Sequence, residues 1–207
     1  MFITPDTTQL GRTAIELRQD ARATRLIHEH RKLKNSARNY VFAHPKLVPL
    51  GDDPLVHHLI SSAGFADVDF VAIRLAAGRR FITAIVVPTR IWRDPEARAS
   101  LLEAKRDART LGTSCLLIPQ RWVRAPNRSA VSRLIAQARH ARYTKAQEDA
   151  IFDHLHLAKI RTIMECAGAI NGHEDPVAVV LAMAASGLID IDRSAPLNDK
   201  TWVSTKL

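Results

Sequence analysis

The alternation of apolar and polar positions is clearest over residues 70–119, and the remaining elements are read outward from there. Residues 68–73 alternate with the period of a strand, and Ala76-Ala77-Gly78-Arg79 supplies a turn. Residues 81–87 form an almost unbroken β-branched apolar run, the pattern of a strand covered on both faces. Asp94 and Pro95 suit the N-cap and first position of a helix, and Gly112 suits its left-handed terminator. Between them Ala97, Leu101, Ala104, Ala108 and Leu111 recur every three or four residues, which predicts one buried stripe. Residues 113–118 are the next buried strand, closed by Pro119. Two strands joined through one helix by short connections predict a right-handed parallel crossover.

Upstream, residues 13–34 predict a helix with a thin apolar stripe of Leu10, Ala14, Leu17 and Ala21. Its Arg18, Arg22, Arg25, Arg31, Lys32 and Lys34 fit either a solvated helix lying across the domain or a basic arm on DNA. Residues 35–53, with Pro45, Pro49 and Gly51, read as loop with room for one strand, and residues 54–62 as a short helix. Asp67 and Asp69 open the first central strand and, at a period of two, share one face.

Downstream, Arg121, Arg124, Arg128, Arg133, Arg139, Arg142 and Lys145 follow one another with no intervening acid. A helix starting near Asn127 or Ser129 turns Val131, Leu134, Ile135, Ala138 and Ala141 inward. At 100° per residue Arg128, Arg139 and Arg142 then share a sector of roughly 60°. Flanked by Trp122 and Tyr143, this is the expected phosphate-contact surface, set against the alternative of an ordinary solvated face. From Gln147 onward acids predominate, which marks a domain boundary near Tyr143.

Thr144 with Gln147 and Thr162 with Glu165 are capping boxes, and Asp175-Pro176 starts a third helix that Gly187 stops. Two short strands follow, around Pro196-Leu197-Asn198-Asp199. Three helices and a hairpin are the order of a winged helix. Residues 177–186 contain no Lys, Arg, Asn or Gln to read base edges, so Val179 and Ala182 are expected to dock a protein partner; DNA contact through the wing, Lys159 and Arg161 is the alternative. The expected organisation is a basic helical N-terminal arm (1–40), an α/β domain (41–143) and a winged-helix domain (144–207).

With 30 basic and 21 acidic residues among 207, the chain carries a formal charge of +9. That balance favours a polyanionic partner, nucleic acid or an anionic membrane surface. Cys115 and Cys166 lie in apolar segments and read as buried thiols of a cytosolic protein. No secretory pattern opens the chain, and its longest apolar stretch is shorter than the ~20 residues a bilayer requires. A soluble cytoplasmic protein without membrane contact is expected. There is no phosphate-binding Gly loop, CxxC or Gly-x-Ser-x-Gly elbow. His28 and His30, like His154 and His156, are two apart and diverge by about 200° on a helix, so no metal or cofactor site is expected.

The succession of hairpin, capped helix, strand, basic helix and winged helix over residues 67–203 resembles TnsA, the endonuclease subunit of heteromeric transposases. The likeness is strongest from Arg90-Ile91-Trp92-Arg93-Asp94-Pro95-Glu96 to Gly112, and from Gly187-Leu188-Ile189-Asp190 to Asp199. The resemblance implies a PD-(D/E)xK restriction-endonuclease-like mixed sheet flanked by helices. It also implies a place in a transposase, mobile-element or phage-related DNA transaction. Asp69 or Asp67 matches the family's first catalytic Asp, whereas Ile85 and Val87 stand where its acid-x-Lys pair belongs. The expectation is a non-catalytic, DNA-binding subunit with vestigial Asp69 and Asp67. The alternatives are an active endonuclease with a relocated Mg²⁺ site and a winged-helix transcriptional regulator.

Overall fold

Leu33, Ala37 and Val41 recur every four residues and keep the chain helical beyond Asn35 and Ser36, which favour helix only weakly. The computed structural model, which describes residues 7–205 and side chains from Arg18 to Thr205, has a single helix α1 (Thr7–Phe42) in this region. The expected helix over 13–34 therefore extends into the segment read as loop. Burial of those three side chains against a sheet overrides the weak local propensity. Ala21 of the expected stripe is exposed, and the side chains of Leu10, Ala14 and Leu17 lie outside the described ones.

Strands β1 (Leu47–Gly51), β2 (Val71–Ala77), β3 (Arg80–Val87) and β4 (Cys115–Pro119) form a sheet in that order. The first three pair antiparallel, and β3 and β4 pair parallel, as the crossover requires. Alternation along β2 and β3 gives the sheet two apolar faces. Val71, Ile73, Leu75, Ala84 and Val86 pack against α1, while Ala72, Ile85 and Val87 pack beneath α2 (Pro54–Ser62) and a later helix. After the five-residue α3 (Thr89–Arg93), that helix is α4 (Pro95–Thr110). Asp94 caps it by accepting from the Glu96 and Ala97 N–H groups, and Gly112 leaves it at φ +82°. Leu101, Ala104 and Ala108 are buried, but Leu111 is exposed because it stands at the C-cap, past the last packed turn. The β4 strand is only half covered, with Leu116 exposed, since it is the edge of the sheet.

Asp53 is the buried polar joint of this layer. One carboxylate oxygen accepts from the Val56 N–H at the start of α2, and the other accepts from the Thr83 hydroxyl on β3 at 2.5 Å. Asp53→Ala removes a cap and orphans a buried hydroxyl, an expected loss of about 2–4 kcal/mol in guanidinium unfolding. Adding Thr83→Val should cost much less than a second independent loss. Strict additivity of the two would mean the bond contributes nothing.

The C-terminal elements are α5 (Gln120–Val123), α6 (Pro126–Ala138), α7 (Lys145–Leu157), β5 (Ile160–Thr162), α8 (Ile163–Gly168), α9 (Pro176–Ser186), β6 (Ile189–Ile191) and β7 (Trp202–Thr205). Both capping boxes are formed. The β5 strand, unforeseen in the sequence, joins the expected hairpin to make an antiparallel sheet ordered β5-β7-β6. Residues 179–185 of α9 are all buried. Val179 and Ala182 are 0% and 1% exposed, which corrects their assignment as a docking surface: α9 lies inside a hydrophobic cluster. Val131, Ile135 and Ala138 of α6, together with Ala43, belong to the same cluster. The change in charge near Tyr143 thus does not coincide with the division between cores.

Candidate nucleic-acid interface

Residues 18–25 of α1 are exposed throughout, and among the described side chains the first buried one on this helix is Leu33. Where α1 passes the carboxyl ends of β3 and β4, a hollow of about 400 Å³ opens. Arg22, Arg25, Arg90 and Arg124 line it, with Glu29, His30, Thr89 and Gln120. Ligands of α/β sheets bind outside such strand ends. The Thr89 N–H donates to the Gln120 side-chain oxygen at 3.0 Å and ties the two ends together.

A second hollow of about 410 Å³ adjoins the first through Arg124 and runs between α1 and α6, past Lys32, Asn35, Ser36, Asn39, Ser129 and Arg133. From Arg22 to Asn39 the groove follows α1 for roughly 26 Å, at 1.5 Å per residue. Its cations face two acids, Glu29 in the lining and Asp69 against Arg90. Arg124 donates to Glu29 at 2.9 Å and Lys32 lies 3.6 Å from it. The Arg124 hydrogen bond holds the Glu29 carboxyl below its usual pKa, so this charge is already matched. Burial and the nearby Lys34 push His30 below the ordinary imidazole pKa, and its Nδ1 has no hydrogen-bond partner.

The two aspartates are not placed as expected. They lie in a 3₁₀ turn (Asp67–Asp69) ahead of β2, not side by side on a strand. Asp69 accepts from the Ala66 N–H and binds Arg90 at 2.6 Å; Asp67 is exposed and lies 3.4 Å from His57. Ile85 and Val87 are buried in the core beneath α2 and α4. A divalent ion needs several oxygen ligands. Here a guanidinium already occupies Asp69, and the neighbouring strand offers only hydrocarbon. No three His, Cys, Asp or Glu side chains among the described residues are grouped to hold a metal. These residues do not fit a Mg²⁺ site.

The basic segment is also dispersed. Since α6 ends at Ala138, Arg128, Arg139 and Arg142 do not share the sector expected of one continuous helix. Arg128 stacks on Trp122 at 5.3 Å, and Arg139 on Phe42 at 5.4 Å. Arg142 lies beyond the helix, where its carbonyl meets the His173 ring at 3.0 Å. Lys145 pairs with Glu148 and Asp149, and those bonds raise its pKa. Arg121 is exposed, and Arg124 and Arg133 line the groove. Arg90 was missed in the sequence, although its place just past the end of β3 was a signal that it reaches the strand-end hollow.

Neither family models, nor curated proteins, nor solved structures match the chain. No helix among the described residues is long and apolar enough to cross a membrane.

Desolvation, with Asp53 near one thiol and Glu165 near the other, pushes both Cys115 and Cys166 up to about 11. Cys166 is buried as expected but Cys115 only half-buried. With both thiols pushed up, alkylation by iodoacetamide at pH 8 should be slow in the native protein and fast in guanidinium; equal rates would contradict the raised thiol pKa values. Between about pH 9 and 11 unfolded thiols lose protons that folded ones retain, so stability falls as pH rises through that window.

Proposed function

We propose that this protein binds nucleic acid along the α1 groove without hydrolysing it. It would act as a nuclease-like, winged-helix-bearing subunit in a transposase, mobile-element or phage-related DNA transaction. The observation that carries the reading is the groove itself: Arg22, Arg25, Lys32, Arg90, Arg124 and Arg133 bordered by Asn35, Ser36 and Asn39, with Glu29 already paired to Arg124 and Asp69 to Arg90. Arginine and amide side chains are the usual partners of phosphate oxygens. The nuclease-like part is supported by a helix, three antiparallel strands, a helix and a parallel fourth strand. The winged-helix part is supported by the order α7-β5-α8-α9-β6-β7 with strand order β5-β7-β6. The non-catalytic part is supported by Arg90 on Asp69 and by the hydrocarbon at Ile85 and Val87.

The test is anisotropy titration of a labelled duplex at several salt concentrations, with the same duplex incubated in Mg²⁺ or Mn²⁺. The expected result is a steep, sequence-tolerant salt dependence and no cleavage. Absence of binding to both this duplex and a single strand would overturn the reading. Metal-dependent nicking abolished by Asp69→Ala would replace it with an active endonuclease. Tight binding confined to one duplex sequence would favour a regulator.

A further inference from the structure

Of the three tryptophans, Trp92 is half-buried and Trp202, at 55% exposure, stands beside Asp190 and Asp192. Trp122, 52% exposed, has a basic setting, with Arg121 adjoining it and Arg128 over its ring at 5.3 Å. An indole left in water forfeits burial that most tryptophans obtain. The backbone beneath it is firmly held. Val123 is 1% exposed within the core between α1 and the sheet, and Arg124 is anchored on Glu29. The ring is thus presented on a pinned turn, with a guanidinium set against it. It lies two residues from Gln120 and two from Arg124, both of which line the groove.

We propose that Trp122 is a stacking platform for an unpaired nucleobase, and that the protein engages single-stranded nucleic acid there, with Arg128 and Arg121 serving the flanking phosphates. The inference rests on the nucleic-acid reading of the groove and adds the class of ligand. Every base has a π face, so an aromatic ring beside arginines holds a single strand with little sequence preference. In a duplex the bases are stacked on one another and present no such face. Phe81 provides an internal control. It is 60% exposed and carries Arg74 over its ring at 5.5 Å, but it stands at the start of β3, at the opposite end of that strand from the groove.

The experiment uses the full chain with labelled oligo(dT) and, separately, a blunt duplex. Oligo(dT) should quench tryptophan fluorescence. Trp122→Ala should lose about tenfold in affinity for oligo(dT) and change duplex affinity little. Trp122→Phe should restore most of that affinity, and Phe81→Ala should match the parent protein. Thermal melts should coincide for all, because both rings are exposed. If Trp122→Ala binds oligo(dT) as tightly as the parent, or loses equally on both probes, the stacking site is refuted. Binding of the duplex without oligo(dT) would refute it while leaving the groove intact, and binding of neither probe would overturn both.

Discussion

Val179→Asp should abolish cooperative unfolding of the protein, or lower its melting temperature by ten degrees or more. Val179 is 0% exposed and belongs to a cluster with Val131, Ile135, Ile151, Leu155 and Met183. A carboxylate there would be buried without a partner, a penalty of about 3–5 kcal/mol. Whole domains are stable by only about 5–15 kcal/mol. The sequence led to the opposite expectation, a lost partner contact in a well-folded chain, because a helix without polar residues resembles a docking face. Circular dichroism melts separate the two. A native-like melt for Val179→Asp would put α9 back at the surface.

Replacing Arg22, Arg25 and Arg133 together with Gln should weaken nucleic-acid binding on the order of a hundredfold near 0.1 M salt. The slope of log affinity against log salt should flatten by about three. All three are exposed, and they span both hollows of the groove. Loss of a surface charge changes folding stability by only about 0.5 kcal/mol, so the variant should melt like the parent. The comparison is Lys145→Gln, whose charge already rests on Glu148 and Asp149 and should matter little. An unchanged slope and affinity in the triple variant would show that the polyanion does not follow α1.

What was legible in advance was local. The Asp94 cap and Gly112 exit of α4, and both capping boxes, were readable because a cap joins residues two to four apart, whereas the Asp53 cap of α2 was passed over as loop. The β2–β3 hairpin followed from period two and a Gly turn. Over residues 35–42 the same kind of signal failed. Asn, Ser and Asn look like helix breakers, but the faces of Leu33, Ala37 and Val41 were already committed to a sheet that the chain had not yet made.

Residue order alone therefore determined the capped helices, the β2–β3 hairpin, the strongly basic balance, and the apolar character of Ile85 and Val87. Only the tertiary structure decided that Arg90 closes on Asp69, that α9 is interior, and that α1 and the α5–α6 segment wall a single groove. Caps and periodicities are interactions within one turn of chain. The groove depends on contacts such as Arg124 with Glu29, 95 residues apart, and their partners are chosen when the sheet's two apolar faces are covered.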